Sequence, residues 1–304
     1  MDRRDALVQM GGSVAALGGF SLGGVRRPSS NAILTRPIPS SGETVPVIGL
    51  GTWQTFDVGA GAAERAPLEQ VLRELVQLGG TVIDSSPMYG RSEAVIGDLA
   101  AKLGVGRRLF VATKVWTEGR DAGVEQMTES MRKLRSRTVD LMQVHNLVDV
   151  ETHLATLARW KAEGRVRYVG VSHYTAGAHD DVARIIETRP VDFVQINYSA
   201  AEREAERRLL PLARERGVAV IANRPFASGG LLRRLAGREL PSWAAEVGCE
   251  SWAQLLLKFV VAHPAVTCAI PATSKVAHLR DNMRAGAGPL PDERLRARIA
   301  AAVA

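Results

Sequence analysis

From about residue 45 onward the chain repeats one pattern eight times. A short apolar run rich in Val and Ile is followed by a longer stretch with helical spacing. The apolar runs are VPVIGLGT, TVIDSS, LFVATKV, DLMQVHN, VRYVGVS, VDFVQINYS, GVAVIANRPF and VTCAIPAT. Between them lie segments such as APLEQVLRELVQLGG, GVEQMTESMRKLRS, ETHLATLARWKAEGR and EREAERRLLPLARERG, with apolar residues at i, i+3, i+4 and i+7. Several of these end at Gly, as helices commonly do. The runs are nearly continuous in Val, Ile and Ala, the composition of strands covered on both faces. Eight strands alternating with helices predict an α/β fold, a closed (β/α)8 TIM barrel of parallel strands with outer helices. An open doubly wound sheet would carry G-x-G-x-x-G after its first strand, and GLGTWQTFDVGAG lacks that spacing. The segment ahead of the first strand, ILTRPIPSSGETVPVIGLG, reads as a short hairpin turning at Ser41-Gly42-Glu43 and closing the barrel floor.

Barrels of this kind take roughly 250 residues. The chain has 304, which leaves a surplus, and its start differs in kind. Arg3-Arg4, with Leu7 in the spacing of a twin-arginine motif, precede a weakly apolar Gly- and Ala-rich run and then Arg26-Arg27-Pro28. Residues 1–35 are therefore expected to be a twin-arginine signal and linker, and residues 36–304 a single barrel domain. Export to the periplasm follows, with the cytoplasm as the location if the signal reading fails. The run is too rich in Gly for a good membrane span.

The net charge of +7 is spread along the whole chain, and no basic block is interleaved with aromatics, so a nucleic-acid partner is not expected. Cys249 and Cys268 lack metal-ligand spacing, so no metal site is expected. They read as buried thiols, although their number also permits one disulfide. A monomer is favoured.

In such barrels chemistry sits at the C-terminal ends of the strands. Here Asp84 ends the second strand, Lys114 the third and His145 the fourth, with Tyr89 in the loop above Asp84. Ser172 and His173 end the fifth, Gln195 and Asn197 lie in the sixth, Asn223 and Arg224 in the seventh, and Thr273, Ser274 and Lys275 follow the eighth. Each alone could be structural, because an Asp before Ser-Ser-Pro can cap a turn and a Lys can snorkel. Their convergence on one mouth weakens that reading. Reducing a carbonyl needs a hydride on carbon and a proton on oxygen. A phenol ordinarily titrates near pH ~10, and an ammonium beside it should lower that value. Lys114 is expected to do so, with Asp84 holding Lys114, His145 directing an N–H at the substrate oxygen, and Tyr89 moving the proton.

Seven short stretches together resemble the aldo-keto reductase family, from about residue 44 to 285. They are GLGTW, the run from Asp84 to Gly97 (Asp-Ser-Ser-Pro, then MYGRSEAVIG), ATKV, DLMQVHN, GVSHY, VQINYS and IPATSKVAHLRDN. The resemblance implies a catalytic tetrad at Asp84, Tyr89, Lys114 and His145. It implies NADP as cofactor, favoured over NAD, and a small carbonyl or alcohol as substrate. Gly51, Thr52 and Trp53 would line the nicotinamide end, and Ser172, His173 and Gln195 would hold the carboxamide. Asn223, Arg224, Pro225 and Phe226 would border the cofactor. Thr273, Ser274, Lys275, His278 and Asn282 would take the adenosine phosphate end, where a Ser-Lys pair beside a helix start suits a 2′-phosphate. Three positions depart from the family pattern. His173 replaces the usual Asn, Asn223 stands where many members stack an aromatic ring, and Arg224 stands where a small residue is common. The chain also lacks the long C-terminal loop of steroid-active relatives, which suggests an open pocket for small or varied carbonyls. The competing reading is a nucleotide-binding regulatory or interaction protein with little turnover. A metal-dependent hydrolase is disfavoured, because the strand ends lack the necessary ligands.

Overall fold

The computed structural model describes residues 32–304. The expected signal lies outside them, apart from its last few residues. A hairpin comes first, β1 (Thr35–Pro37) and β2 (Thr44–Pro46), paired antiparallel with Thr35 opposite Pro46 and Pro37 opposite Thr44. Gly42, at φ 76°, makes the turn.

The alternation then runs β3 (Leu50–Gly51), α1 (Ala62–Gln77), β4 (Val82–Asp84), α2 (Ser92–Leu103), β5 (Phe110–Val115), α3 (Arg120–Lys133), β6 (Val139–His145) and α4 (Val150–Ala162). It continues with β7 (Val166–Ser172), α5 (His179–Thr188), β8 (Phe193–Asn197), α6 (Leu209–Glu215), β9 (Ala219–Asn223), α7 (Gly230–Arg234), α8 (Trp252–Ala262), β10 (Val266–Ala269), α9 (Val276–Arg284) and α10 (Glu293–Ala302). Strands β3 to β10 form one parallel sheet in chain order. The sheet curls until its first and last strands meet. Gly49 N–H donates to the Ala269 carbonyl at 2.8 Å and Ala269 N–H to the Val47 carbonyl at 2.9 Å, closing the seam of a (β/α)8 barrel. A Cβ on Gly51 would stand 2.7 Å from the Ile270 carbonyl oxygen, so the seam admits only glycine there.

Side chains alternate between two cores, as the two-residue period of a strand requires. Outward residues such as Ile83, Met142, Val144 and Val194 pack under the helices. Inward residues Val82, Phe110, Leu141, Tyr168, Phe193, Ala219, Ile221 and Cys268 fill the barrel, with Ile38 and Val45 of the hairpin plugging it from below. The hairpin therefore forms the floor that the sequence suggests. Cys249 and Cys268 are both free and buried.

One expected helix is different. The periodic stretch at 202–217 is broken into a single 3-10 turn, Glu204–Glu206, and the two-turn α6. Pro211 explains the break. Its ring would clash with the carbonyl four residues earlier, so it fits only the first turn of a helix that starts at Leu209.

Candidate active site

The two-residue period that packs the barrel also builds its mouth. Moving up the inner face, Val82 gives way to Asp84, Ala112 to Lys114, Leu141 to Gln143 and His145, Tyr168 to Ser172, Phe193 to Gln195, and Ile221 to Asn223. The lower member of each series is apolar and the upper one polar, so polar groups from six strands meet in one layer.

At its centre is a buried ion pair. Lys114 Nζ donates to Asp84 Oδ2 at 2.7 Å and to the Ser85 carbonyl at 2.7 Å. Lys114 is 0% exposed and Asp84 2%. Asp84 Oδ1 accepts from Gln195 Nε2 at 2.7 Å and, more distantly, from Gln143 Nε2 at 3.3 Å. The carboxylate is thus held on both oxygens, as a buried charge must be. Thr52 Oγ1 donates to the Asp84 carbonyl at 2.9 Å and fixes the turn above it. The Lys114 ammonium stands 5.1 Å from the centre of the Tyr89 ring.

Burial alone would lower the Lys114 ammonium, but Asp84 and Tyr89 outweigh it and hold it above the usual lysine value. Tyr89 corrects a sequence expectation. Its phenol is raised, not lowered, because burial outweighs the neighbouring ammonium. His145 is pushed down to about 3 by burial, with Lys114 and His173 adding to it, and is therefore a neutral imidazole at neutral pH. Its Nδ1 is 2.8 Å from Ser172 Oγ. A Ser172 hydroxyl donating there leaves the ring proton on Nε2.

A cavity of about 930 Å³ opens over this layer. Asp84, Tyr89, His145, Gln195 and Asn223 line one end, with Gly51, Thr52 and Trp53 beside them. Arg224, Pro225, Phe226, Thr273, His278 and Asn282 line it as well, the last two from α9. Its volume lies at the upper end of small-molecule and cofactor sites, large enough for a dinucleotide. Ser274 and Lys275 stand just outside, Lys275 as the residue that precedes the first turn of α9.

Two expected cofactor contacts are committed elsewhere. Ser172 Oγ is taken up by His145. His173 turns its Nδ1 back into its own loop, where it accepts the Tyr174 and Thr175 N–H groups at 3.1 and 3.3 Å, and it does not line the cavity. Gln195 reaches the cavity, but its amide nitrogen is spent on Asp84.

Several site residues escape the sequence reading, Gln143 and Tyr174 among them. Gln143 precedes His145 by two, so strand alternation already put it on the inner face. Tyr174, half exposed, has its ring 6.1 Å from that of His145 and stacked on it. Its signal was an aromatic directly after a strand-end His.

The model of the Aldo/keto reductase family matches residues 47–302. Methylglyoxal reductase YeaE of Escherichia coli (strain K12) is 30% identical over 246 residues, covering 79% of this chain and 84% of its own. An aldo/keto reductase of Klebsiella pneumoniae, solved in complex with NADP and acetate, superposes with TM-score 0.74 at 27% identity over 86% of this chain and 93% of its own. A second Klebsiella pneumoniae aldo-keto reductase structure, in complex with NADPH, gives TM-score 0.74 at 27% identity, covering 89% and 96%.

Proposed function

The chain belongs to the aldo/keto reductase family, and from that premise we propose that it reduces an aldehyde or ketone with NADPH, or oxidises the matching alcohol with NADP, with Tyr89 moving the proton. The observation that carries this reading is the Lys114–Asp84 pair set directly behind the Tyr89 phenol at one end of the cavity. Bound NADPH supplies a hydride to the carbonyl carbon.

The protein's own groups do the rest. A raised phenol is fully protonated at neutral pH, which is the form that reduction requires. As it gives its proton to the substrate oxygen, the Lys114 ammonium stabilises the phenolate left behind. In oxidation the same pair accepts the proton. Neutral His145 presents Nε2–H to the substrate oxygen, orienting the carbonyl and stabilising developing negative charge. Gln143 and Gln195 hold Asp84, and Asp84 holds Lys114, so the set is fixed before substrate arrives. Gly51, Thr52 and Trp53 border the reacting end. Lys275 and Ser274, beside the first turn of α9, favour the 2′-phosphate of NADP.

The test is fluorescence titration with NADPH and NADH, followed by cofactor consumption on a panel of aldehydes and ketones. Tyr89→Phe should remove turnover by a factor of roughly 10²–10⁴ and leave NADPH affinity within about twofold. Retained turnover would remove Tyr89 as proton donor. Tight binding by the parent chain with no turnover on any carbonyl would favour the regulatory reading. Lys275→Ala should weaken NADPH far more than NADH.

We also propose that residues 1–35 direct export by the twin-arginine route, supported by Arg3, Arg4 and Leu7 in motif spacing ahead of a short apolar run. Replacing Arg3 and Arg4 by Lys should leave the protein in the cytoplasm. An unchanged distribution would refute the signal.

A further inference from the structure

Glu93 is a carboxyl that the proton transfer does not use, and it is 1% exposed. It stands in the first turn of α2, four residues after Tyr89, and does not line the cavity. An acid at a helix start is favourable at the surface, near the first N–H groups. Glu93 turns inward instead, and its Oε1 accepts the Thr113 hydroxyl of β5 at 2.6 Å. Its Oε2 has no hydrogen-bond partner among the described residues, and neither has the buried hydroxyl of Ser130 on α3. Burial raises the Glu93 carboxyl, and the Thr113 and Ser130 hydroxyls offset that only in part. A carboxyl buried with one oxygen unused destabilises the fold relative to a well-packed apolar side chain. Packing therefore does not account for it, and the contact it makes has to.

That contact joins the two elements that carry Tyr89 and Lys114. The two-residue period of β5 puts Lys114 on the inner face and Thr113 on the outer one. The Thr113 hydroxyl thus ties the strand of Lys114 to the helix that follows Tyr89. Upstream of Tyr89, Ser85 N–H donates to the Ala112 carbonyl of the same strand at 2.9 Å. Downstream, Arg91 N–H donates to Asp57 Oδ1 at 3.0 Å, an exposed contact that water can replace. A Cβ on Gly97 would collide with the Lys133 carbonyl oxygen, so the body of α2 lies backbone to backbone against the end of α3. Gly97 fixes the body of the helix, and Glu93 fixes its first turn, the part next to Tyr89.

On the basis of the reductase reading, we infer that Glu93 is a positioning residue for the proton transfer: through Thr113 it holds the Tyr89 loop at the spacing from Lys114 at which the ammonium stabilises the phenolate. It acts without touching substrate or cofactor.

Carbonyl reduction by the full chain at saturating NADPH tests this, with thermal melts to confirm that each variant is folded. Glu93→Leu should lower kcat by about 10–10²-fold, the effect of a misplacement near 1 Å, and leave NADPH affinity within about twofold. Glu93→Gln keeps an acceptor for Thr113 and should hold kcat within about threefold of the parent. Thr113→Val breaks the link from the other side and should reproduce the loss in Glu93→Leu, so it carries the test if that variant does not fold. In alcohol oxidation, the alkaline limb that reports the Tyr89 phenol should move to higher pH in Glu93→Leu and stay in place in Glu93→Gln. Added to Lys114→Met, Glu93→Leu should lower kcat by no more than about twofold further, because the spacing it sets no longer has an ammonium to use. Multiplied losses in that double variant would mean that Glu93 acts independently of Lys114 and would overturn the inference. Equal losses in Glu93→Gln and Glu93→Leu would make the charge and not the contact decisive, and would also overturn it. A parent chain that turns over carbonyls with folded Glu93→Leu matching it sinks this inference alone. A parent chain that turns over none sinks the reductase reading beneath it.

Discussion

Two lysines are buried in this barrel almost equally, Lys114 at 0% exposure and Lys258 at 1%, yet their surroundings are opposite. Lys114 faces a carboxylate and a phenol, and its ammonium is held above the usual range although burial works against it. Lys258, on α8, faces no carboxylate. It donates to the carbonyls of Val247, Ala287 and Pro289 at 2.8, 2.7 and 2.7 Å, and burial holds it below the usual range. Three bonds use all three ammonium donors, so Lys258 ties the chain ahead of α8 to the segment between α9 and α10 and has nothing left to offer a reaction. Lys114 spends two donors on Asp84 and Ser85 and keeps a side toward Tyr89. Burial therefore does not mark a lysine as functional. A counter-charge and an unspent side toward the Tyr89 phenol do.

The comparison is broken most severely by removing Lys114. Lys114→Met should lower the rate of carbonyl reduction by roughly 10²–10³-fold, the range for removing one electrostatic stabiliser. Lys258→Met should leave kcat within about twofold, measured by NADPH consumption at saturating carbonyl. Equal losses in both would mean that Lys114 acts through fold stability alone.

Stability is the next largest effect. Lys114→Met leaves Asp84 charged and unpaired in the barrel, a loss of about 3–5 kcal/mol. Lys258→Met leaves neutral carbonyls without donors and no orphan charge, a loss of about 1–3 kcal/mol. Denaturant unfolding should rank them in that order. Adding Asp84→Asn to Lys114→Met sharpens the point, because removing both charges should recover much of the loss in stability and none of the activity. A double variant no more stable than Lys114→Met would show that the penalty comes from packing.

The same two residues show what was legible in the sequence. Lys114 breaks a Val-rich strand at its last turn inward, between Asp84 and His145 on adjacent strand ends, so the barrel pattern alone brings it to the mouth. Lys258 sits inside LLLKFVV, where helical spacing marks a buried face but says nothing about which carbonyls lie opposite. Those carbonyls, at the end of the 3-10 helix Ser242–Val247 and at 287 and 289 between α9 and α10, lie in segments whose paths depend on the finished fold. The eight-strand rhythm was readable because it repeats a local period. The broken helix before α6 was not, because Pro211 looks the same in a first turn as in a helix interior until the helix start is known. The raised Tyr89 phenol was missed for a related reason: the sequence names its neighbour Lys114 but not how deeply both are buried. His173 faces its own loop because two local N–H groups need an acceptor, a demand visible only once the turn is formed.

The smallest expected effect separates the lysines by pH. Lys114 titrates higher in the folded protein than its ordinary 10.5, so its stabilisation is complete below that pH and is lost only as pH rises through the folded value. Lys258 titrates lower than 10.5 when folded. Between its folded value and 10.5 the unfolded chain holds the extra proton, so stability rises with pH across that window and the burial penalty is complete only below it. The gap in unfolding midpoint between the parent chain and Lys258→Met should therefore widen as pH rises toward 10.5, read by thermal melts at a series of pH values. The gap between the parent and the Asp84→Asn, Lys114→Met pair should stay level over the same range. A Lys258 gap that narrows toward pH 10 would mean that three carbonyl dipoles stabilise a buried ammonium more than burial destabilises it. The contrast between a paired and an unpaired lysine would then reduce to a contrast between two kinds of acceptor.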